Sequence, residues 1–453
     1  MSFRYNLKIN SGADLHIKGR SALKSVVLPP SETYTIKPGN FFYLNTKLLL
    51  KEGAKVKKGT PLFFDKGNPE VKFVSPISGT VQKIVRGKRR RVLDVIVHRD
   101  EKQEALKFDI PNLKKCTRKE IVDFLLEVGL WPFLSQRPYG IIANPTKKPK
   151  SIFISLVDKR PLGVDFDFIL KDKIQDFQRG IEVLSKLTDI IYLGFPSGYQ
   201  GELKSIKGAT FFGVSGPHPA GNSSVHINKI DPLNYGEYIW TINPEDIANI
   251  GESFATGEFT ARRTIAVAGN GVGDPKYFKV TIGHELLHLL QEAKVNMNQD
   301  NRYINGDLLT GEFVDDQDHI GYLNNLISVI PEGNQYRMFG WLPFKDNSVL
   351  STSRTSFNWL KRGNKPVEVN TNLNGEERAL VVTGEMEKVF PMDIYPLQLI
   401  KACMVEDIEK MEALGIFEVV PEDFGLIDFT NSSKLEAQEI IKSGLELMIK
   451  EVG

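Results

Sequence analysis

Short apolar runs separated by amphipathic stretches constrain this chain more than any other feature. Ser151-Ile-Phe-Ile-Ser-Leu-Val157 is apolar at most positions, and Ile190-Ile-Tyr-Leu-Gly194 repeats the pattern. Strands of that composition are buried on both faces, as parallel strands in layered α/β folds are. Between them, Phe177 to Leu187 carries apolar residues at helical spacing. The alternation predicts a parallel, Rossmann-like sheet. A further helix is predicted over Lys119 to Glu127, closed by Gly129.

Such a sheet presents ligands at the loops that leave its strands. One run stands out there: Phe212-Gly-Val-Ser-Gly-Pro-His-Pro-Ala-Gly-Asn-Ser-Ser-Val-His-Ile227. Its glycines resist ordering and its prolines lack a donor, so it cannot be regular helix or central strand. A rigid, polar loop after a buried strand is where binding residues concentrate. Ser215, Gly216, His218, Gly221 and His226 are therefore the candidates for a ligand or partner loop. A hydrolase triad built on Ser215, His218 and His226 is not supported, because no G-x-S-x-G elbow and no acid partner accompany them.

Residues 41 to 99 read as short strands with frequent turns. Lys51 to Phe63 and Val74 to Ile84 are similar to the two halves of a biotinyl/lipoyl-like β-sandwich, with Val56, Leu62, Val74, Val81 and Ile84 filling a small core. Asp65-Lys66 invites a lipoyl-lysine reading, but Gly-Asn-Pro follows and the interval to Ser75-Pro76 is long, so a non-modified module is expected. Arg86-Gly-Lys-Arg-Arg-Arg91 runs into the alternating Val92-Leu-Asp-Val-Ile-Val97, which predicts a hairpin with solvated charges at its tip. An anionic lipid surface suits that tip better than nucleic acid does.

After Arg263, the strand Thr264-Ile-Ala-Val-Ala268 opens a mixed region reaching about residue 358. Gly269-Asn-Gly-Val-Gly273 follows it, but Asp274-Pro275 stands where a dinucleotide loop would start a helix, so a hairpin turn is predicted. Two helices are expected in the tail, Leu397 to Leu414 and Lys434 to Lys450. These readings divide the chain at 1–110, 111–263, 264–358 and 359–453, an α/β multidomain protein ending in helices.

Composition excludes several classes. A net charge of +2 makes no case for nucleic acid. Cys116 and Cys403 cannot supply the four ligands of an iron–sulfur cluster. The N-terminus lacks the apolar stretch of a signal peptide, and no run approaches the ~18 to 20 apolar residues of a membrane span. A reduced, soluble, cytoplasmic chain is expected.

A competing motif is His284-Glu-Leu-Leu-His288, formally H-E-x-x-H. On a helix its imidazoles would fall at i and i+4 and could share a Zn²⁺, with Glu285 polarising water. Glu312 or the Asp315–His319 stretch could offer a third ligand, while Gln291 and Lys294 occupy the places of a histidine-type one. A zinc metallohydrolase using His284, Glu285 and His288 is thus the alternative.

The loop run above, Ile239-Trp-Thr-Ile-Asn-Pro-Glu-Asp-Ile-Ala-Asn-Ile-Gly251, Thr256-Gly-Glu258, Pro138-Tyr-Gly140, Asp158-Lys-Arg-Pro-Leu162, Phe339-Gly-Trp341, Ser351-Thr-Ser-Arg-Thr355 and Val389-Phe-Pro-Met-Asp-Ile394 together resemble the NqrA family of the Na⁺-translocating NADH:quinone reductase. The resemblance runs nearly end to end. It implies an N-terminal hybrid module, a Rossmann-like domain, a β-grasp-like (SLBB-type) module and C-terminal helices. It also implies a peripheral subunit on the cytoplasmic face of the bacterial inner membrane. FAD, FMN, riboflavin and an iron–sulfur centre would reside in the partner subunits and none here, with a scaffold or quinone-site-supporting role for this chain. Within that picture Phe339-Gly-Trp-Leu-Pro-Phe344 reads as core and turn rather than a quinone box.

Overall fold

A computed structural model describes residues 3–333, 350–352 and 365–452. The Phe339–Phe344 run and part of the Ser351–Thr355 motif lie outside the described residues. Seven strands form the largest sheet, in the order Tyr5–Lys8, Thr210–Ser215, Ile191–Pro196, Ser151–Ser155, Ile239–Thr241, Ser135–Arg137 and Ile141–Ile142. The first five are parallel, and each of the last two runs antiparallel to the strand before it.

Both faces of this sheet are covered, which explains its near-continuous apolar strands. Alternate residues serve different cores. Ile152, Ile154, Leu193 and Phe211 face one side with Phe177, Ile181, Ile247 and Ile250 of the helices Ile174–Leu184 and Pro244–Thr256. Phe153, Tyr192 and Phe212 face the other, with Val225 and the C-terminal residues Leu397, Ile400 and Leu445. The first pair of helices touch backbone to backbone: a Cβ on Gly180 would lie 2.1 Å from the Ile247 carbonyl oxygen, and one on Gly251 1.8 Å from that of Asp176.

The hybrid module is two small sheets. One carries Thr33–Ile36, Val92–Arg99, Gly79–Arg86 and Lys55–Val56; the other carries Thr46–Leu48, Pro61–Asp65 and Lys72–Val74. Val56, Leu62, Phe63, Phe73, Val81 and Val97 fill the space between them. Lys66 stands exposed at the shoulder of a broad turn after Pro61–Asp65.

A six-stranded mixed sheet follows, in the order Glu312–Val314, Asn301–Asn305, Leu326–Pro331, Arg262–Ala268, Lys276–Thr281 and Ser25–Val27. Helix Leu286–Glu292 buries Leu286, Leu289 and Leu290 against its Ile265, Phe278 and Val329. Gly269–Gly273 is the connection of an antiparallel hairpin, as its Asp-Pro sequel predicts. The N-terminal stretch is shared out, Tyr5–Lys8 joining the parallel sheet and Ser25–Val27 the mixed one. In the tail, the helix expected over Leu397 to Leu414 is two, Pro396–Met404 and Ile408–Ala413, and the last helix is Ala437–Glu451.

Candidate functional site

From Ser151–Ser155 the chain winds outward through Ile191–Pro196 to Thr210–Ser215, then jumps back to Ile239–Thr241 on the other side. Carboxyl-end loops therefore diverge beside Ser151–Ser155, the topological switch point where open α/β sheets form a crevice. A cavity of about 330 Å³ occupies that place, lined by Ser155, Asp158, Arg160, Asn222, Thr241 and Asn243, among others. Two helices, Ser223–Ile230 and Pro244–Thr256, begin at its rim.

Asp158 and Arg160 make a two-pronged ion pair on the crevice wall. Arg160 donates from Nε at 2.9 Å and from Nη2 at 2.7 Å. The Arg160 and Val164 amides donate to the same carboxylate at 3.1 and 3.0 Å. Burial alone would raise the Asp158 carboxyl, but the Arg160 charge and these donors hold it below its usual range.

The loop after Thr210–Ser215 grips the N-terminal segment. Ser215 Oγ donates to the Leu7 carbonyl at 3.2 Å. Gly216 adopts φ of 130°, and a Cβ there would stand 2.2 Å from the Ile9 carbonyl oxygen. The His218 amide donates to Asp14 at 3.0 Å, and the His218 carbonyl accepts from the Ala13 amide at 2.9 Å. His226 is fully buried, with Nε2 2.8 Å from the Ala220 carbonyl and its ring edge-on to Phe212. Burial depresses its imidazole to about 4, so it is neutral and pins the loop from beneath. Gly221 lies on the crevice wall beside Asn222, and its carbonyl accepts from Ser155 Oγ at 3.0 Å. Of the five candidates, Gly221 lines the crevice, while Ser215, Gly216, His218 and His226 make contacts within the chain.

An ionic cluster beneath the crevice joins Glu245 and Asp246, from the Ile239 to Gly251 run, to Arg263, Lys173 and Asn325, which lie outside the quoted motifs. Arg263 Nη2 donates to Asp246 at 2.8 Å and to the Tyr322 carbonyl at 2.6 Å. Glu245 accepts from Lys173 at 2.6 Å, from the Thr264 amide at 2.9 Å and from Asn325 at 2.5 Å. These residues join the parallel sheet to the mixed one. The available signal is the acidic pair placed directly after Asn243-Pro244, a helix start that favours carboxylates.

The H-E-x-x-H run is not one helical face. The helix begins at Leu286 with Glu285 as its N-cap, so His284 lies outside it. The ring nitrogens of His284 sit 2.9 Å from the Glu285 carbonyl and 3.0 Å from that of Pro29. A carbonyl thus stands in front of each nitrogen, in the place a metal would need to take. The Glu285 carboxylate is taken up by the amide and hydroxyl of Thr33. Among the described residues, no group of three or more His, Cys, Asp or Glu side chains is disposed to hold a metal.

Comparison with known proteins agrees with this architecture. Residues 7–100 match the NqrA N-terminal barrel-sandwich hybrid domain, 116–259 the NqrA second alpha/beta domain and 264–316 the NQRA C-terminal domain. The NqrA component of the Na⁺-translocating NADH-quinone reductase of Neisseria meningitidis serogroup B is 34% identical over 450 residues, covering 98% of this chain and all of the relative. The corresponding component in Haemophilus influenzae is 33% identical over 462 residues with the same coverage. A chain of the air-oxidised NAD⁺-reducing [NiFe]-hydrogenase superposes with a TM-score of 0.40 at 13% identity, covering 75% of this chain and 62% of that one. The domain models and the full-length relatives define the class, a multidomain component of an NADH-quinone reductase complex. Within it, the chain belongs to the NqrA family of the Na⁺-translocating enzyme. Among the described residues, no helix is long and apolar enough to cross a membrane.

Proposed function

We propose that this chain serves as the peripheral NqrA component of a complex that oxidises NADH, reduces ubiquinone or menaquinone and exports Na⁺. It docks to the membrane subunits from the cytoplasmic face of the inner membrane. Its partners carry FAD, FMN, riboflavin and the iron–sulfur centre, and this chain carries none. The observation behind the reading is end-to-end correspondence with the relatives, together with three NqrA domain models that match successive parts of this chain between residues 7 and 316.

The chain's own contribution is that of a scaffold that supports the quinone site. The crevice beside Ser155, Gly221 and Thr241 is the surface offered to a ligand or partner. It is framed by the strand end at Ser215, the loop that follows it and the first turn of the helix that holds His226. The loop is anchored from below by His226 and from the side by the N-terminal strand, so it presents Gly221 and Asn222 in one fixed arrangement. Reconstitution tests this. Adding the purified chain to membranes whose reductase lacks its NqrA component restores Na⁺-stimulated quinone reduction. An Asn222→Ala variant restores it with a raised KM for quinone or weaker assembly. Unrestored activity with the intact chain contradicts the proposal.

A further inference from the structure

The hairpin joining Gly79–Arg86 to Val92–Arg99 ends in the densest positive charge of the sequence, Arg86, Lys88, Arg89, Arg90 and Arg91. Thr33–Ile36 flanks the second strand only as far as Val95, and Lys55–Val56 flanks the first only at Gly79 and Thr80, so the turn lies at the end of a short two-stranded arm beyond them. Arg89 and Arg90 take left-handed backbone angles, φ of 53° and 61°, in succession. That conformation is unfavourable for residues with a Cβ, and no glycine has been used to relieve it. All five basic side chains are exposed. Among the described residues none is in an ion pair. Arg86 donates only to the Arg90 carbonyl, at 3.2 Å.

What surrounds the tip sharpens its character. The one carboxylate on the arm's outer half, Asp94, is half-buried and lies near Lys37 and Asp318. Arg91 turns toward a cleft it shares with Gly39–Tyr43. The free charges at the end are therefore Arg86, Lys88, Arg89 and Arg90. Beside them Leu93 is 42% exposed and packs across Gly87, whose Cβ would stand 3.1 Å from a Leu93 methyl. Unpaired cations around one exposed aliphatic side chain match a surface that is anionic at its boundary and apolar just beneath. Nucleic acid fits less well. The tip has no aromatic side chain to stack a base, and the whole chain carries only +2.

We propose that this arm binds the anionic headgroups of a phospholipid bilayer, with Leu93 touching the acyl boundary. The inference rests on the reading of the chain as a peripheral part of a membrane complex, to which it adds a direct lipid contact. Cations held near an anionic leaflet contribute independently, each strengthening binding roughly fivefold.

The test is co-sedimentation of the full chain with phosphatidylcholine vesicles made with and without phosphatidylglycerol. The chain is expected to pellet only with the anionic vesicles, and to be released as salt compresses the screening length. The triple variant Lys88→Gln/Arg89→Gln/Arg90→Gln should lose about a hundredfold in partitioning, at an unchanged unfolding midpoint. Equal binding to neutral vesicles, salt-independent binding, or full binding by the triple variant overturns the proposal. So does tighter binding to duplex DNA than to the anionic vesicles. Should the triple variant unfold, the salt and lipid dependence of the unaltered chain still decides. Normal assembly with the reductase but no vesicle binding defeats the lipid contact alone. Vesicle binding without assembly defeats the reading of the chain as part of the complex alone.

Discussion

Arg263 and Asp246 share an ion pair of 2.8 Å in which neither side chain meets solvent. Asp246 sits in the first turn of helix Pro244–Thr256, and Arg263 is the second residue of the strand that begins the mixed sheet. The pair thus ties two sheets together at the floor of the crevice. Burial raises the Asp246 carboxyl to about 6 even against the Arg263 charge. Replacing Arg263 by Met strands a carboxylate in that interior. The expected cost is about 3 to 5 kcal/mol, measured by urea denaturation, with part recovered in Arg263→Met/Asp246→Asn.

The contact of helices Ile174–Leu184 and Pro244–Thr256 gives a prediction with a counter-intuitive sign. Alanine in an exposed helix interior is favoured over glycine by about 1 kcal/mol. At Gly251 the added methyl would meet the Asp176 carbonyl at 1.8 Å, so the helices must separate. Overpacking of this kind costs about 1 to 3 kcal/mol, and Gly251→Ala is expected to destabilise. Gly39→Ala, where a Cβ meets nothing within 4 Å, serves as the near-neutral control.

His226 makes stability depend on pH. Its folded-state value of about 4 lies below the ordinary 6.5, so the neutral ring is the one the fold accommodates. The stabilisation is complete above 6.5 and is lost as pH falls toward 4, by about 3 kcal/mol. His226→Gln keeps an amide donor for Ala220 but cannot titrate. Its unfolding free energy should fall less steeply across that window than the unaltered chain's, whatever its stability at pH 7.

The His284–His288 segment is expected to be indifferent to metal. Chelation with EDTA should leave the unfolding midpoint unmoved, and His288→Ala should shift stability by no more than about 0.5 kcal/mol. One equivalent of zinc in the purified chain, lost with that substitution, would contradict the geometry at Glu285 and Thr33.

Local signals in the sequence are readable where one residue decides an element. Helix Arg118–Val128 is visible, as Lys119 to Glu127, from its amphipathic pattern and from Gly129, which takes φ of 87° to end it. The Thr117–Glu120 capping box that fixes its start is seen in the structure. The break between Pro396–Met404 and Ile408–Ala413 is harder to see. Apolar spacing continues across it, but Glu406 turns left-handed at φ of 56° and Asp407 caps the second helix by accepting from the Lys410 amide. An aspartate inside a periodic run is a cap in waiting. Glycine and proline content marks the candidate run, but only Gly216 to Asn222 is loop. Phe212 to Ser215 end a central strand and Ser223 to Ile227 begin a helix, so the expectation that the whole run is irregular fails at both ends, where few glycines or prolines stand. Its grip on Tyr5–Lys8 is not legible, because that pairing joins residues some two hundred positions apart. The cluster of Arg263, Glu245 and Asp246 is equally hidden, as charge in a sequence gives no sign of burial.

Co-purification tests the central claim most directly. A tagged form of the chain is drawn from detergent-solubilised membranes, and the eluate is assayed for NADH:quinone reductase activity with and without Na⁺. Co-elution with flavin-containing membrane subunits and Na⁺-stimulated activity is the predicted result. A solitary chain, recovered inactive while the membrane subunits remain intact and unbound, would contradict it.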